Sequence, residues 1–135
     1  WVARVAGSLL PGLALPSGLE VLSISRDPDV VQRYMADPFV HDRISLGLGK
    51  ELMEAIPWIF AHAAGLDLPL LLMHGTADRL AYPRGSEELA ARAPEGRVTL
   101  KLWPGLFHEL HNEPEKETVL AFLLDWLEDF STGQR

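Results

Sequence analysis

The stretch Leu68-Pro69-Leu70-Leu71-Leu72-Met73-His74-Gly75-Thr76-Ala77-Asp78 is an apolar run that stops at a histidine and a glycine, with an aspartate three residues beyond. An apolar run without alternation suits a parallel strand covered on both faces, because flanking helices bury both sets of side chains. Downstream, Pro83 to Ala93 predicts a short helix, with Glu87 and Glu88 near its start and Pro94 past its end. Val98-Thr99-Leu100-Lys101-Leu102 alternates, as an edge strand with one wetter face would. A last helix follows, with Asn112 as its expected cap, Pro114 in its first turn and Glu115 three residues after the cap. Val119, Leu123, Trp126, Leu127 and Phe130 predict its buried stripe, and Ser131 to Arg135 should fray. Strand, helix, strand, helix is a βαβα unit of a parallel sheet.

Upstream the character changes. Residues 1–66 are punctuated by Pro11, Pro16, Pro28, Pro38 and Pro57 and offer no convincing strand; Leu13 to Pro16 and Gly18 to Ser25 read as loop. Asp27-Pro28-Asp29 opens a short helix, Asp27 as N-cap and Pro28 at the first position, where a missing N–H is harmless. Val30, Val31, Tyr34 and Met35 give it an apolar side, and Asp37-Pro38 closes it. From Ser45 to Ala64, Leu48, Leu52, Met53, Ile56, Ile59 and Phe60 recur at helical spacing. Pro57 should kink or split that helix, and Gly65 is placed to end it. The expected organisation is a helical cap over residues 1–66 and a βαβα core portion over 67–135.

The chain has 135 residues, the size of one ordinary domain, and its 47% apolar content is that of a globular protein. A net charge of −7 argues against nucleic acid as a partner, which needs a basic stripe, and weakens docking on an anionic membrane. The absence of cysteine removes disulfides, thiolate nucleophiles and Cys-based zinc sites, and fits a reducing compartment such as the cytoplasm. The longest apolar stretch is far short of a membrane span. The start, Trp1-Val2-Ala3-Arg4-Val5-Ala6-Gly7, has neither initiator Met nor the layout of a secretory signal, and reads as the middle of something longer.

In doubly wound sheets, ligands meet the loops at the carboxyl ends of the strands. Two such loops open here, His74-Gly75-Thr76-Ala77-Asp78-Arg79 and Trp103-Pro104-Gly105-Leu106-Phe107-His108-Glu109. An Asp and a His in that order match the second and third members of a Ser…Asp…His triad. The chemistry needs this pairing: a serine hydroxyl attacks only when a neutral imidazole takes its proton, and a buried carboxylate must orient that imidazole. Either residue alone is equally a turn aspartate or a loop histidine with local hydrogen bonds. His74 is read as a structural hydrogen-bonding residue, Glu109 as a loop-orienting carboxylate and Glu113 as a charge at a helix N-terminus. His41, His62 and His111 are read as surface or packing residues, and Trp58, Ile59 and Phe60 as core. His108-Glu109-x-His111 has a spacing of three, not the four of a zinc H-E-x-x-H, and no metal or cofactor is expected.

Leu68 to Gly75 followed by Asp78 resembles the acid-bearing segment of bacterial monoacylglycerol lipases and lysophospholipases, serine hydrolases of the α/β-hydrolase fold. Pro83-x-Gly85-Ser86 and Pro104-Gly105-x-x-His108-Glu109-x-x-Asn112-Glu113-Pro114 continue the likeness in order, and Ser25-Arg26-Asp27-Pro28, Asp37-Pro38 and Val40-His41 resemble their cap. The resemblance implies an α/β fold, here the C-terminal part of an α/β-hydrolase: two parallel strands with helices, preceded by a mainly helical cap. It implies Asp78 and His108 as triad acid and base, a small acyl ester as substrate, and no cofactor. The family's G-x-S-x-G elbow is absent, so the serine and the oxyanion donors would come from an N-terminal half of the same hydrolase. Leu13, Leu15, Leu46, Leu48, Leu52 and Met53 either pack the cap onto the core or line an acyl tunnel. Two further readings stay open: another α/β-hydrolase activity (thioesterase, peptidase, dehalogenase), and a non-catalytic binding protein of the same fold.

Overall fold

The structure, a computed structural model, describes residues 2–132. Helix α1 (Val2–Leu9) leads to a three-residue strand β1 (Ala14–Pro16), a 3₁₀ turn at Val21–Ser23 and helix α2 (Pro28–Ala36). Strand β2 (Arg43–Ser45) and the long helix α3 (Leu46–His62) follow, then a 3₁₀ turn at Ala63–Gly65. Strand β3 (Leu70–Gly75), helix α4 (Arg84–Arg92), strand β4 (Val98–Trp103), a 3₁₀ turn at Leu110–Asn112 and helix α5 (Lys116–Ser131) complete the order.

The apolar run and the alternating segment behave as the crossover rule requires. β3 and β4 pair in parallel, from Leu70 opposite Val98 to Gly75 opposite Trp103, with α4 as the connection. The two carboxyl ends are thereby level, and both candidate loops leave the sheet side by side. Alternation in β4 does not translate into alternating exposure, since its first five residues are all half-buried. Trp103, Leu106, Leu110 and Val119 form one small core, with Met73 and Phe122 against it. Ile24, Val30 and Val31 form a second, with Val21, Tyr34 and Leu80. Leu80 belongs to the Asp78 loop, so this second core ties residues 21–34 to the acid-bearing turn.

Several expectations for the first half are corrected. Leu13 to Pro16 is not all loop: β1 pairs antiparallel with β2, Ala14 opposite Ser45. Three-residue strands carry too little pattern to be read locally, and their pairing is a tertiary event. The Arg43 guanidinium adds a bond to the Ala14 carbonyl. α1 went unread, and Trp1 lies outside the described residues. α1 packs on α3 so closely that a Cβ on Gly7 would stand 2.7 Å from the Leu46 carbonyl oxygen. Asp27 caps α2 as expected, accepting from the Asp29 N–H at 2.9 Å, and Ser45 caps α3 through the Leu48 N–H. Pro57 does not split α3, which continues through it to His62. Loss of one backbone hydrogen bond leaves the rest of a seventeen-residue helix intact.

The last helix starts later than its sequence suggests. Asn112 does not cap it: Asn112 closes the 3₁₀ turn, its amide donating to Glu109 Oε2 at 2.8 Å, and Pro114 precedes α5. Val119 and Trp126 are buried, but Leu127 and Phe130 are exposed. Trp58 and Ile59, expected in the core, are exposed too, with Trp58 stacked on His62 at 4.1 Å. Of the tail expected to fray, Ser131 ends α5 and Thr132 caps it; residues 133–135 lie outside the described residues.

Candidate active site

Asp78 and His108 stand at the ends of adjacent strands, and the loops that carry them are laced together by backbone. The Thr76 N–H donates to the Trp103 carbonyl at 2.9 Å and the Ala77 N–H to the Leu106 carbonyl at 3.0 Å. The Gly105 N–H donates to Thr76 Oγ1 at 2.8 Å. Gly105 turns the second loop with φ +76, a left-handed conformation that favours glycine. At Gly75 the reason for glycine is space: a Cβ would lie 2.2 Å from the Leu106 oxygen and 2.3 Å from the Phe107 oxygen. These are backbone atoms next to His108, so nothing can swing aside. Gly75→Ala should therefore cost about 1–3 kcal/mol in a denaturant or thermal melt. Gly85→Ala, with open space around its Cβ inside α4, should be neutral or stabilising.

Asp78 is buried, its side chain 2% exposed, and three donors hydrogen-bond its carboxylate, with a second imidazole close by. Oδ1 accepts from the Leu80 N–H at 2.8 Å and the Ala81 N–H at 3.0 Å. Oδ2 lies 2.8 Å from His108 Nδ1 and 3.1 Å from His74 Nε2. Burial alone would push this carboxyl up; the Ala81 N–H, the His108 ring and the Leu80 N–H outweigh it and hold the pKa below its ordinary value. Ionised Asp78 can only accept, so Nδ1 of neutral His108 carries the proton and Nε2 keeps its lone pair. Nε2 has no hydrogen-bond partner among the described residues. That is the tautomer a general base needs.

The two sequence-chosen residues are thus in contact. The His108 side chain, 43% exposed, lines a groove of about 420 Å³ with Met73, Leu110, His111, Val119, Leu120 and Leu123. Every residue lining this groove lies after residue 66, so none of the leucines read as a possible acyl tunnel borders it. A larger cavity of about 720 Å³ does lie between residues 22–36 and Phe107, beside His108 in sequence. Leu13, Leu15, Leu48, Leu52 and Met53 are exposed.

Two features were missed by sequence reasoning. His74 was read as structural but not as a neighbour of the acid, although its i,i+4 separation from Asp78 across a strand-end turn allows it. Glu113, read as a helix-terminal charge, is instead completely buried. Its Oε1 accepts from the Arg26 N–H at 2.8 Å, and its Oε2 accepts from Arg26 Nε at 2.5 Å. Arg26 also pairs with Glu115. Its guanidinium pKa is raised by the Glu115 and Glu113 hydrogen bonds together.

No helix among the described residues is long and apolar enough to cross a membrane. Residues 1–115 match the family model described as serine aminopeptidase, S33. The chain is 41% identical over 127 residues to a monoacylglycerol lipase of Mycolicibacterium smegmatis, covering 93% of this chain and 45% of that protein. It is 31% identical over 128 residues to the monoglyceride lipase of Rattus norvegicus, covering 93% and 42%. The crystal structure of the Paleococcus ferrophilus monoacylglycerol lipase superposes with a TM-score of 0.90 at 36% identity, over 93% of this chain and 49% of that one. The chain spans about half the length of the relatives it matches. It therefore belongs to the serine aminopeptidase S33 family of the α/β-hydrolase fold and is monoacylglycerol lipase-like.

Proposed function

We propose that this chain is the cap and C-terminal core portion of a serine carboxylic-ester hydrolase acting on monoacylglycerols, lysophospholipids or similar acyl esters. Residues 1–66 are the cap in this reading, and residues 67–135 belong to the core. The observation that carries it is the 2.8 Å contact between buried Asp78 and the Nδ1 of His108 at the ends of neighbouring parallel strands. A serine from the remaining portion attacks the ester carbonyl while His108 Nε2 takes its proton. His108 then hands that proton to the departing alcohol, and in the second half-reaction it deprotonates the water that releases the acid. Asp78 keeps the ring in register and offsets the charge of the imidazolium. The substrate class rests on what the monoacylglycerol lipases named above are said to act on, and on the apolar cavity beside Phe107.

The partner in this reading is the N-terminal half of the same hydrolase. β3 and β4 form a two-stranded parallel sheet, and such a pair needs neighbouring strands and cover on both faces for stability. Leu70 to His74 of β3 are only half-buried. The test is complementation. The purified chain alone should neither hydrolyse a nitrophenyl ester nor react with a serine-directed fluorophosphonate. Refolding it with the remaining half should restore both, together with monoacylglycerol hydrolysis. Esterase activity of the isolated chain, or a refolded whole that leaves acyl esters untouched, would overturn the proposal.

A further inference from the structure

Asp78 has a second imidazole beside it. His74, the penultimate residue of β3, places Nε2 3.1 Å from Asp78 Oδ2, the same oxygen that faces His108. Nε2 is also 2.7 Å from the Ala81 carbonyl oxygen. Both neighbours are acceptors, so Nε2 must carry a proton. On the far side of the ring, Nδ1 lies 2.8 Å from Ser86 Oγ, in the first turn of α4. The Ser86 hydroxyl donates to Nδ1 of the neutral ring, and this completes the lock on one tautomer. The His74 side chain is 14% exposed, so little water competes for these contacts.

The Ala81 residue that His74 grips is itself a donor to Asp78 Oδ1. Strand end, turn and helix start are therefore held by one ring: β3 through His74 itself, the turn through Ala81, and α4 through Ser86. We infer that His74 is a positioning residue for the proposed triad: its Nε2–H, with the Ser86 hydroxyl behind the ring, holds the Ala81 carbonyl and so the turn whose Leu80 and Ala81 N–H groups fix the Asp78 carboxylate against His108. The inference rests on the reading of Asp78 and His108 as acid and base. Of the titratable side chains, His74 and His108 contact Asp78 directly. From β4, Lys101 is placed over the Trp103 and Phe122 rings, at 5.0 and 5.3 Å from their centres.

The arrangement has a consequence for charge. His74 Nε2, 3.1 Å from Oδ2 and with its N–H bonded to the Ala81 carbonyl, puts the positive end of its dipole beside the carboxylate, and its removal leaves more of that charge for the imidazolium of His108. The acid limb of kcat/KM should then move to higher pH. Gln can bring an amide N–H to the position of Nε2; Ala cannot. In the intact hydrolase, His74→Ala should lower kcat by about ten- to a hundredfold, the range that supporting partners of a site command, with KM changed little. Its acid limb should shift upward, and His74→Gln should recover most of both properties. Ser86→Ala should lower kcat in the same direction by a smaller factor, and it decides the matter if His74→Ala does not fold. An unchanged kcat and acid limb in His74→Ala, or in Ser86→Ala where that variant decides, would overturn the inference, as would His74→Gln behaving no better than His74→Ala. His108→Ala in the same assays separates the two readings. If it is active, the triad reading fails; if it is inactive while His74→Ala behaves as the parent does, only the positioning role falls.

Discussion

His108→Ala in the intact hydrolase should reduce kcat by about three orders of magnitude or more, with the melting midpoint little changed. The ring leaves a half-exposed loop position, so its loss opens no core cavity, and whatever activity remains must come from substrate binding and oxyanion donors. Asp78→Asn is the more instructive partner and should also be severe, about a thousandfold or more. The Leu80 and Ala81 N–H groups donate to Oδ1, so the Asn carbonyl oxygen must take that place. The amide NH₂ is then forced into the place of Oδ2, facing His108 Nδ1 and His74 Nε2. Facing a donor, His108 moves its proton to Nε2, the nitrogen that should accept one from serine. His74 cannot adapt in the same way, because Ala81 also requires its proton on Nε2. Asp78→Asn should thus bind substrate nearly normally and lose turnover. Steady-state kinetics with a soluble ester, beside a thermal melt of each variant, separates this from unfolding. Near-normal turnover in His108→Ala would remove the triad assignment altogether.

How much of this was legible depended on whether the information lay in a single segment. The run Leu70 to Gly75 could be read because a doubly covered parallel strand leaves its mark in every consecutive residue. Asp78 and His108 could be chosen because parallel strands make their carboxyl-end loops neighbours whatever the sequence separation. The same logic failed for Ala14–Pro16 and Arg43–Ser45, where three residues carry no period and the pairing partner is nearly thirty residues away. It failed again at Asn112, where an Asn, a Pro and a Glu in capping order serve a 3₁₀ turn instead. The Glu109 side chain captures the Asn112 amide, and the helix waits until Lys116. Glu113 shows the limit most clearly. Nothing local distinguishes a helix-terminal glutamate from one whose partner stands 87 residues upstream.

That partner sets the second large effect. Residues 24–26 lie along the segment that follows His108. The Glu109 N–H donates to the Ile24 carbonyl at 2.8 Å, Ser25 Oγ donates to the Asn112 carbonyl at 2.9 Å, and Arg26 binds Glu113 through both its backbone and its guanidinium. Glu113 is wholly buried, so truncating Arg26 strands a carboxylate in the interior with only the backbone N–H of residue 26 to face it. Breaking such a pair from one side is far more costly than its net contribution, because the remaining charge has lost both water and partner. Arg26→Ala should cost about 3 kcal/mol. Arg26→Lys should recover part of this, since an ammonium restores the charge but not the planar fork. Glu115→Ala tests the other arm of the guanidinium, and because that carboxylate is exposed its loss should fall within the ordinary scatter of surface substitutions. The double variant Arg26→Leu with Glu113→Leu should be more stable than Arg26→Ala alone, because it removes the stranded charge. If urea melts of the intact protein place Arg26→Ala beside Glu115→Ala, the pair is only a surface contact. If Arg26→Ala instead falls far below it, residues 24–26 are what hold the loop behind His108 in place.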